Sequence, residues 1–358
     1  MAGRLTIIGG GVMGLMTAYY AAPLAETVTV LERSRVGDPA AASFGLTRSV
    51  RNDYLDLEYA RLAVEARRLW RELEREFGQR LLIDCGCLNL VKASVTPDLD
   101  STYAVESYAV LERLQLPREA LSGAQLRQRF PQFDADGGWL DVDARFADLT
   151  AVTGALREGL RARGVRLVVT AGLGTNDVLG LVPGSQVRFP LSPDRPTQSK
   201  YFIPPAGSRA MFTQDVMPVF AYLDIGIYGH PVYDEKTPGI KIGFYNPPDV
   251  TRTASRIGSV EEFVAECLPG LRDAEVVDVA TASGVDTCWY DLVADDEFIL
   301  GAAPGAPGLF TGVGWRGTGY KFAPWVGRVL AQLALQQGTV YDIGRFTPAR
   351  FAVEGVAS

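Results

Sequence analysis

The stretch Leu5-Thr6-Ile7-Ile8-Gly9-Gly10-Gly11-Val12-Met13-Gly14 decides the fold of this chain. Its apolar first half predicts a strand, and the glycines lead into a helix that is predicted to run to about Ala22. A second strand is predicted over Thr27–Leu31 and ends at Glu32. Together these segments form a strand–helix–strand start, as in nucleotide-binding α/β domains.

The spacing of three glycines meets the physical needs of a dinucleotide site. Gly9 permits a tight turn, Gly11 lets the backbone approach a pyrophosphate, and Gly14 allows close packing of helix on strand. The helix N-terminus offers free N–H groups and a positive dipole end to phosphates. A glycine-rich turn without ligand is the alternative, and the motif alone does not separate FAD from NAD. The predicted dinucleotide contacts in this region are Gly9, Gly11, Val12, Met13, Gly14, Glu32 and Arg33.

Composition and charge restrict the class of protein. The 358 residues are 47% hydrophobic and 22% charged, which is ordinary for a soluble globular protein and enough for two domains. No apolar run approaches the roughly 20 residues that span a membrane, and no signal peptide is recognised. We therefore expect a cytoplasmic enzyme without a membrane partner. The net charge of −7 argues against a nucleic acid partner.

Histidine and cysteine usage excludes several catalytic types. The single histidine, His230, rules out a histidine dyad and a poly-histidine metal site, so no metal is predicted. His230 lies in a Gly-His-Pro sequence, for which a turn and a structural role are expected. The four cysteines have the spacing of neither a zinc site nor a disulfide framework.

Three further stretches carry a family resemblance. They are Ala42-Ser43-Phe44-Gly45-Leu46-Thr47-Arg48-Ser49-Val50-Arg51, Cys288-Trp289-Tyr290 and Gly314-Trp315-Arg316-Gly317-Thr318-Gly319-Tyr320-Lys321-Phe322. With the glycine fingerprint, they resemble the monomeric sarcosine oxidase group, which includes N-methyltryptophan oxidase, within the D-amino-acid/glycine oxidase superfamily. The similarity covers nearly the whole chain and is weakest between about 90 and 235.

The resemblance implies an α/β fold in which a Rossmann-like FAD-binding domain is interleaved with an antiparallel-sheet, α+β substrate domain. The FAD-binding domain is expected to comprise 1–85, 141–188 and 284–358, and the substrate domain 86–140 and 189–283. The family carries another short sheet between the helix that ends near Gly164 and the strand at Leu167–Val169. Almost nothing intervenes here, which would leave the adenine end of FAD more exposed.

The resemblance also implies FAD attached covalently, through a thioether from Cys288 to the flavin 8α-methyl group. A thiolate is a suitable nucleophile for that bond, and a buried inert cysteine is the alternative. The resemblance also implies that the turn at Gly314–Gly319 delivers the N-terminus of a C-terminal helix to the flavin. The positive end of that helix would stabilise negative charge on the flavin ring. The further FAD contacts implied are Ser43, Thr47, Gly172, Cys288, Gly317, Gly319 and Lys321.

For the substrate, the resemblance implies that Arg51 and Lys321 clamp a carboxylate, since a planar fork and a point charge together fix its orientation. Arg48 matches an arginine close to the flavin ring; surface arginines are the alternative. Lys241 matches a lysine that activates dioxygen, and strand alternation places Lys241, Gly243 and Tyr245 on one face. A solvent-facing lysine is the alternative.

The chain departs from sarcosine oxidase at several pocket positions. Thr318 and Tyr245, expected to be catalytic with Lys241 and Arg48, replace histidines. Phe44 replaces an imidazole. Tyr245 and Trp315 are expected to form pocket walls, which favours a substrate larger than sarcosine or cyclic.

The sequence therefore predicts an FAD-dependent oxidase of a carboxylate-bearing amine, a secondary, N-methyl or cyclic amino acid. It would consume O₂ and release an imine and H₂O₂, as a monomer or weak oligomer, in catabolism or in a biosynthetic pathway. The alternatives are an FAD dehydrogenase with another electron acceptor, an NAD(P)-dependent dehydrogenase, and a non-catalytic FAD-binding subunit.

Overall fold

The glycine-rich start folds as a strand, a tight turn and a helix in the computed structural model. The structure describes residues 3–39, 41–163, 166–167, 174–180, 188–193, 199–233, 236–245, 255–278 and 290–351. These segments contain both helices and strands, so the predicted α/β class is confirmed.

The elements described carry the following bounds. The strands are β1 Arg4–Ile8, β2 Thr27–Leu31, β3 Thr47–Val50, β4 Leu82–Asp84, β5 Cys87–Val91, β6 Arg118–Ser122, β7 Gly137–Asp141, β8 Arg145–Asp148, β9 Arg166–Leu167, β10 Ser192–Pro193, β11 Ser199–Ile203, β12 Val219–Tyr222, β13 Ile227–His230, β14 Ile240–Phe244, β15 Glu275–Asp278, β16 Asp291–Leu292, β17 Ile299–Ala302 and β18 Phe310–Val313. The helices are α1 Val12–Ala21, α2 Leu57–Phe77, α3 Tyr103–Arg113, α4 Gly123–Arg129, α5 Leu149–Ala162, α6 Thr175–Gly180, α7 Val260–Cys267 and α8 Ala323–Ala334.

The N-terminal strands form a parallel sheet. Strands β1, β2 and β9 pair in that order, and α1 connects the first two. Helix α1 crosses α8 closely, because a Cβ on Gly327 of α8 would lie only 2.5 Å from Cβ of Met16. The contact brings the N-terminal and C-terminal helices side by side under one cleft.

The second large unit is an eight-stranded sheet in the order β15-β11-β14-β13-β12-β5-β7-β6. Its neighbours are antiparallel, as predicted, except that β12 and β5 run parallel where the two halves of the sheet meet. On β14, Ile240, Ile242 and Phe244 enter an apolar core with Phe263 of α7. The alternate residue Lys241 lies on the opposite face, as period-2 alternation predicts.

No helix in the described ranges has the length and apolar character required to cross a membrane.

Candidate active site

A cleft of 610 Å³ lies between the start of α1, strand β3, the open face of β12–β14 and the Gly314–Lys321 turn. A cavity of this size and composition, apolar with a few polar groups, is typical of ligand sites. Phe44, expected in the pocket, does not line it. Gly172 and Cys288 lie outside the described residues. The predicted residues that line the cleft are Gly9, Gly11, Val12, Met13, Gly14, Glu32, Arg33, Ser43, Thr47, Arg48, Arg51, Lys241, Tyr245, Trp315, Gly317, Thr318, Gly319 and Lys321.

The glycine turn forms a cradle that other residues would fill. Gly9 has φ 116°, a conformation that non-glycine residues rarely adopt. A Cβ on Gly14 would lie 1.7 Å from the carbonyl oxygen of Gly9, and one on Gly11 would lie 3.0 Å from Oγ of Ser43. Backbone therefore comes within reach of a ligand at the helix N-terminus.

Two side chains organise this N-terminus. Glu32 accepts a hydrogen bond from the Gly10 N–H at 2.9 Å, and Ser43 Oγ accepts one from the Val12 N–H at 2.9 Å. The carboxylate stands at the end of β2, at the carboxyl edge of the parallel sheet where doubly wound folds bind nucleotides. Main-chain donors for phosphates beside a carboxylate for ribose hydroxyls fit the adenosine diphosphate half of FAD.

Arg48 turns back onto the loop that precedes it. Its guanidinium donates to the carbonyls of Phe44 at 2.8 Å, Thr47 at 3.1 Å and Ala42 at 3.3 Å. The arginine thus holds the loop in shape while its side chain still borders the cleft.

His230 differs from its prediction. It ends strand β13 instead of lying in a turn, and it lines the cleft with its Nε2 2.9 Å from Oγ of Ser49. It pairs in register with Lys241 of β14. Burial, together with the charges of Lys241 and Arg48, holds the pKa of His230 well below its usual value, so the imidazole is neutral.

Arg51 forms an ion pair with a buried carboxylate. Its Nη1 lies 2.6 Å from Oδ1 of Asp53 and 2.9 Å from the Asp53 carbonyl oxygen. Asp53 is fully buried, and its second carboxylate oxygen accepts a hydrogen bond from Nδ2 of Asn89 at 2.6 Å. Sequence reasoning missed Asp53; an acidic residue two positions after the expected carboxylate-binding arginine was the available signal.

Lys321 is buried at the turn before α8. Its Nζ donates to Thr318 Oγ1 at 2.7 Å and to the Thr318 carbonyl oxygen at 3.2 Å. Thr318 Oγ1 lies 2.7 Å from the hydroxyl of Tyr54, so three polar groups form a chain. Burial and then the charge of Arg51 hold the pKa of Lys321 well below its usual value.

Lys241, Tyr245 and Trp315 also line the cleft. Lys241 is 8% exposed, and its Nζ lies 5.7 Å from the ring centre of Tyr228. The Tyr245 hydroxyl donates to the carbonyl of Arg316 at 3.3 Å, which ties β14 to the glycine turn. Trp315 packs edge-on against Phe298. The site thus combines a glycine cradle with three buried or nearly buried basic side chains.

Comparison with known proteins gives one family. A model described as FAD dependent oxidoreductase matches residues 4–168 and 166–333. The chain is 27% identical to peroxisomal sarcosine oxidase of Homo sapiens, covering 98% of this chain and 97% of that protein. It is 25% identical to N-methyl-L-tryptophan oxidase of Yersinia pestis, with 97% and 99% covered. The fold is shared with L-proline dehydrogenase from P. horikoshii at TM-score 0.76 and 17% identity, with 98% of each chain covered.

These matches bear on the short segment after α5. The two parts of the family match meet at residues 166–168. The alignment with the human protein extends over 405 positions, more than the 358 residues of this chain, so the relative has residues that this chain lacks. The junction falls in the segment where the family resemblance implies a missing short sheet, which stays a prediction.

Proposed function

The chain belongs to the FAD dependent oxidoreductase family, and on this premise we propose that it oxidises a carboxylate-bearing amine. The substrate class is a secondary, N-methyl or cyclic amino acid, and the products are an imine and H₂O₂. The observation that carries the proposal is that Arg51 and Lys321 meet in a buried pocket continuous with the glycine cradle.

The residues present fit FAD. The turn at Gly9–Gly14 would hold the pyrophosphate, and Glu32 the adenosine ribose. The Gly317–Gly319 backbone lies across the cleft, where the start of α8 follows. Covalent attachment through Cys288 belongs to the same proposal and rests on the resemblance of the Cys-Trp-Tyr sequence.

Each cleft residue has a task that its environment supports. Bound FAD would supply the acceptor for the hydride that leaves the substrate carbon, which carries both electrons of the oxidation. Arg51 and Lys321 fix the carboxylate and so orient the adjacent C–N bond. Lys241, on the sheet face of the cleft, places a positive charge where negative charge develops on dioxygen. Tyr245 and Trp315 exclude water from the pocket.

A spectrum and a substrate screen test the proposal. The purified protein should be yellow, and a panel of secondary, N-methyl and cyclic amino acids under air should contain one that yields H₂O₂. A coloured protein that reduces an artificial acceptor without forming peroxide would be a dehydrogenase. A colourless protein that does not bind added FAD would contradict the whole assignment.

Lys241→Met separates the oxygen role from substrate oxidation. Loss of the cation should slow reoxidation of the reduced flavin by O₂ by at least about tenfold, while anaerobic reduction by substrate changes little. Rapid-mixing absorbance measurements separate the two half-reactions. Reoxidation at the wild-type rate would remove Lys241 from the oxygen reaction.

Covalent attachment has its own test. After acid precipitation, the flavin colour should stay with the protein pellet, and Cys288→Ser should release it to the supernatant. Release from the wild-type protein would show that FAD is held without a thioether.

A further inference from the structure

The charge of Arg51 is compensated inside the protein. The Arg51–Asp53 contact of 2.6 Å joins a fully buried carboxylate to a guanidinium that is only 10% exposed. Asn89 fixes the other carboxylate oxygen, and the hydroxyl of Tyr103 donates to the Asp53 carbonyl at 2.7 Å. Because both oxygens of the Asp53 carboxylate are held by hydrogen bonds, the carboxylate stays beside Arg51. The Arg51–Asp53 pair therefore contributes no net charge to the pocket.

Lys321 has no acidic partner among the contacts described for its Nζ. Its hydrogen bonds go to Thr318, and the ring centres of Tyr54 and Phe322 lie 5.4 and 5.7 Å from Nζ. A buried ammonium with only neutral partners is costly, so the free amine is favoured. The charged and titratable groups that face it from the surrounding elements are Arg51, Asp53, Tyr54, Cys87 and Arg316.

We propose that Lys321 enters the reaction as a free amine, takes the ammonium proton from the bound amino acid, and then holds the carboxylate as an ammonium. This deepens the proposed function and rests on it. An amino acid arrives with one carboxylate and one ammonium, whereas the oxidation needs the neutral amine. The site therefore converts the substrate into its reactive form by the same event that completes the carboxylate clamp.

The proton transfer balances within the complex. A substrate N–H bond breaks, and its electron pair stays on the substrate nitrogen as the lone pair that assists departure of the α-hydride. The lone pair of Lys321 Nζ forms the new N–H bond, so no outside acid or base is consumed. The incoming carboxylate favours the charged lysine, because an opposite charge nearby stabilises the ammonium.

Thr318 suits both states of the lysine. Its hydroxyl can donate to a free amine or accept from an ammonium, whereas a carbonyl oxygen can only accept. The Tyr54 hydroxyl, 2.7 Å from Thr318 Oγ1, can likewise reverse its hydrogen bond. The chain Lys321–Thr318–Tyr54 thus accommodates the proton without leaving a buried polar group unpaired.

Calorimetry with two matched ligands tests the proposal. Cyclopentanecarboxylate has no amine, and 1-aminocyclopentanecarboxylate adds an ammonium but has no α-hydrogen to lose. Binding to the FAD-loaded protein is measured at about pH 8, below the ordinary lysine pKa, in buffers of different ionisation heat, which counts protons. We expect the simple acid to take up close to one proton and the amino acid to take up close to none.

Other proton counts contradict the proposal. If neither ligand causes proton uptake on binding, Lys321 is already charged in the free protein. If both ligands cause uptake of one proton, the bound amino acid keeps its own ammonium proton. Failure of both ligands to bind would overturn the proposed carboxylate function as well. Lys321→Met should bind the simple acid without proton uptake, whereas the surface control Lys200→Met should retain it.

Asp53→Asn provides a second variant that preserves shape. The Oδ1 of Asn89 has no hydrogen-bond partner, so rotation of that amide can satisfy the new side chain. In this variant Arg51 has lost its ionic partner, so its charge can neutralise the carboxylate of the bound ligand without protonation of Lys321. We therefore expect proton uptake on binding of the simple acid to fall by at least half. Uptake unchanged from wild type would show that Asp53 does not set the charge of the pocket.

Discussion

Two helical glycines show how surroundings decide the effect of a single methyl group. Gly14 in α1 faces the turn, and an added Cβ would lie 1.7 Å from backbone oxygen of Gly9. Gly154 in α5 is exposed, and an added Cβ meets no atom within 4 Å. The first glycine is required by the cradle, whereas the second only weakens its helix.

Gly14→Ala should therefore prevent FAD binding and lower the thermal midpoint, because helix and strand must separate to admit the methyl group. The matched control Gly154→Ala should stabilise the protein by about 0.5–1 kcal/mol through helix propensity. Flavin content and thermal unfolding measure both effects. Wild-type flavin content in Gly14→Ala would show that the turn is not the dinucleotide cradle.

At the scale of elements, helix α2 illustrates how a local signal and a distant contact share one residue. Asp56 caps the helix by accepting hydrogen bonds from the N–H groups of Glu58 at 2.9 Å and Tyr59 at 3.0 Å. Its other oxygen accepts from Arg345, almost 300 residues away, at 2.9 Å. Asp56 therefore caps the N-terminus of α2 and also binds Arg345 in the segment that follows α8.

Asp56→Ala should cost about 1–2 kcal/mol, because it removes a helix cap. Asp56→Asn keeps the cap and should cost less than about 1 kcal/mol, the range of a partly exposed ion pair. Denaturant unfolding of the FAD-loaded proteins provides the comparison. Equal losses in the two variants would mean that the ion pair, and not the cap, is the larger contribution.

At the scale of the whole molecule, Asp141 joins the eight-stranded sheet to the segment that carries Arg51. Its carboxylate accepts hydrogen bonds from the backbone N–H of Asn52 at 2.7 Å and from its side chain at 3.0 and 3.1 Å. Burial raises the pKa of Asp141 to about 6, and the neighbouring Asp53 charge contributes to the rise. Asp141 thus couples the packing of the sheet and the active-site segment to pH.

The sign of this coupling follows from proton binding. Between about pH 4 and pH 6 the folded protein retains a proton on Asp141 that the unfolded chain has released. The contribution of Asp141 to the free energy of unfolding is therefore complete below about pH 4 and is lost as the pH rises through about 6. Asp141→Asn removes it, and the Asn52 side chain, whose Oδ1 is unpaired, can rotate to match the new amide.

The stability of Asp141→Asn relative to wild type should consequently increase from pH 4 to pH 7, by on the order of 2 kcal/mol. Denaturant unfolding at several pH values measures the difference. A difference that is constant with pH would show that Asp141 titrates alike in the folded and unfolded protein.

The sequence by itself determined the periodic elements and the family. The glycine spacing predicted the β1–α1–β2 unit, which the structure has at Arg4–Ile8, Val12–Ala21 and Thr27–Leu31. Strand alternation gave the cleft-facing position of Lys241. Such features depend on neighbours within a few residues, which a linear pattern records.

Only the tertiary structure decided how the polar groups of the cleft are paired. Tyr54 meets Thr318 across 264 positions of sequence, and His230 meets Ser49 across 181. Asp53 lies two positions from Arg51 in sequence, yet its ionic role depends on burial and on the hydrogen bond from Asn89 of strand β5. The charge and protonation of a side chain depend on the solvent and charges around it, and these are fixed only when distant segments pack together.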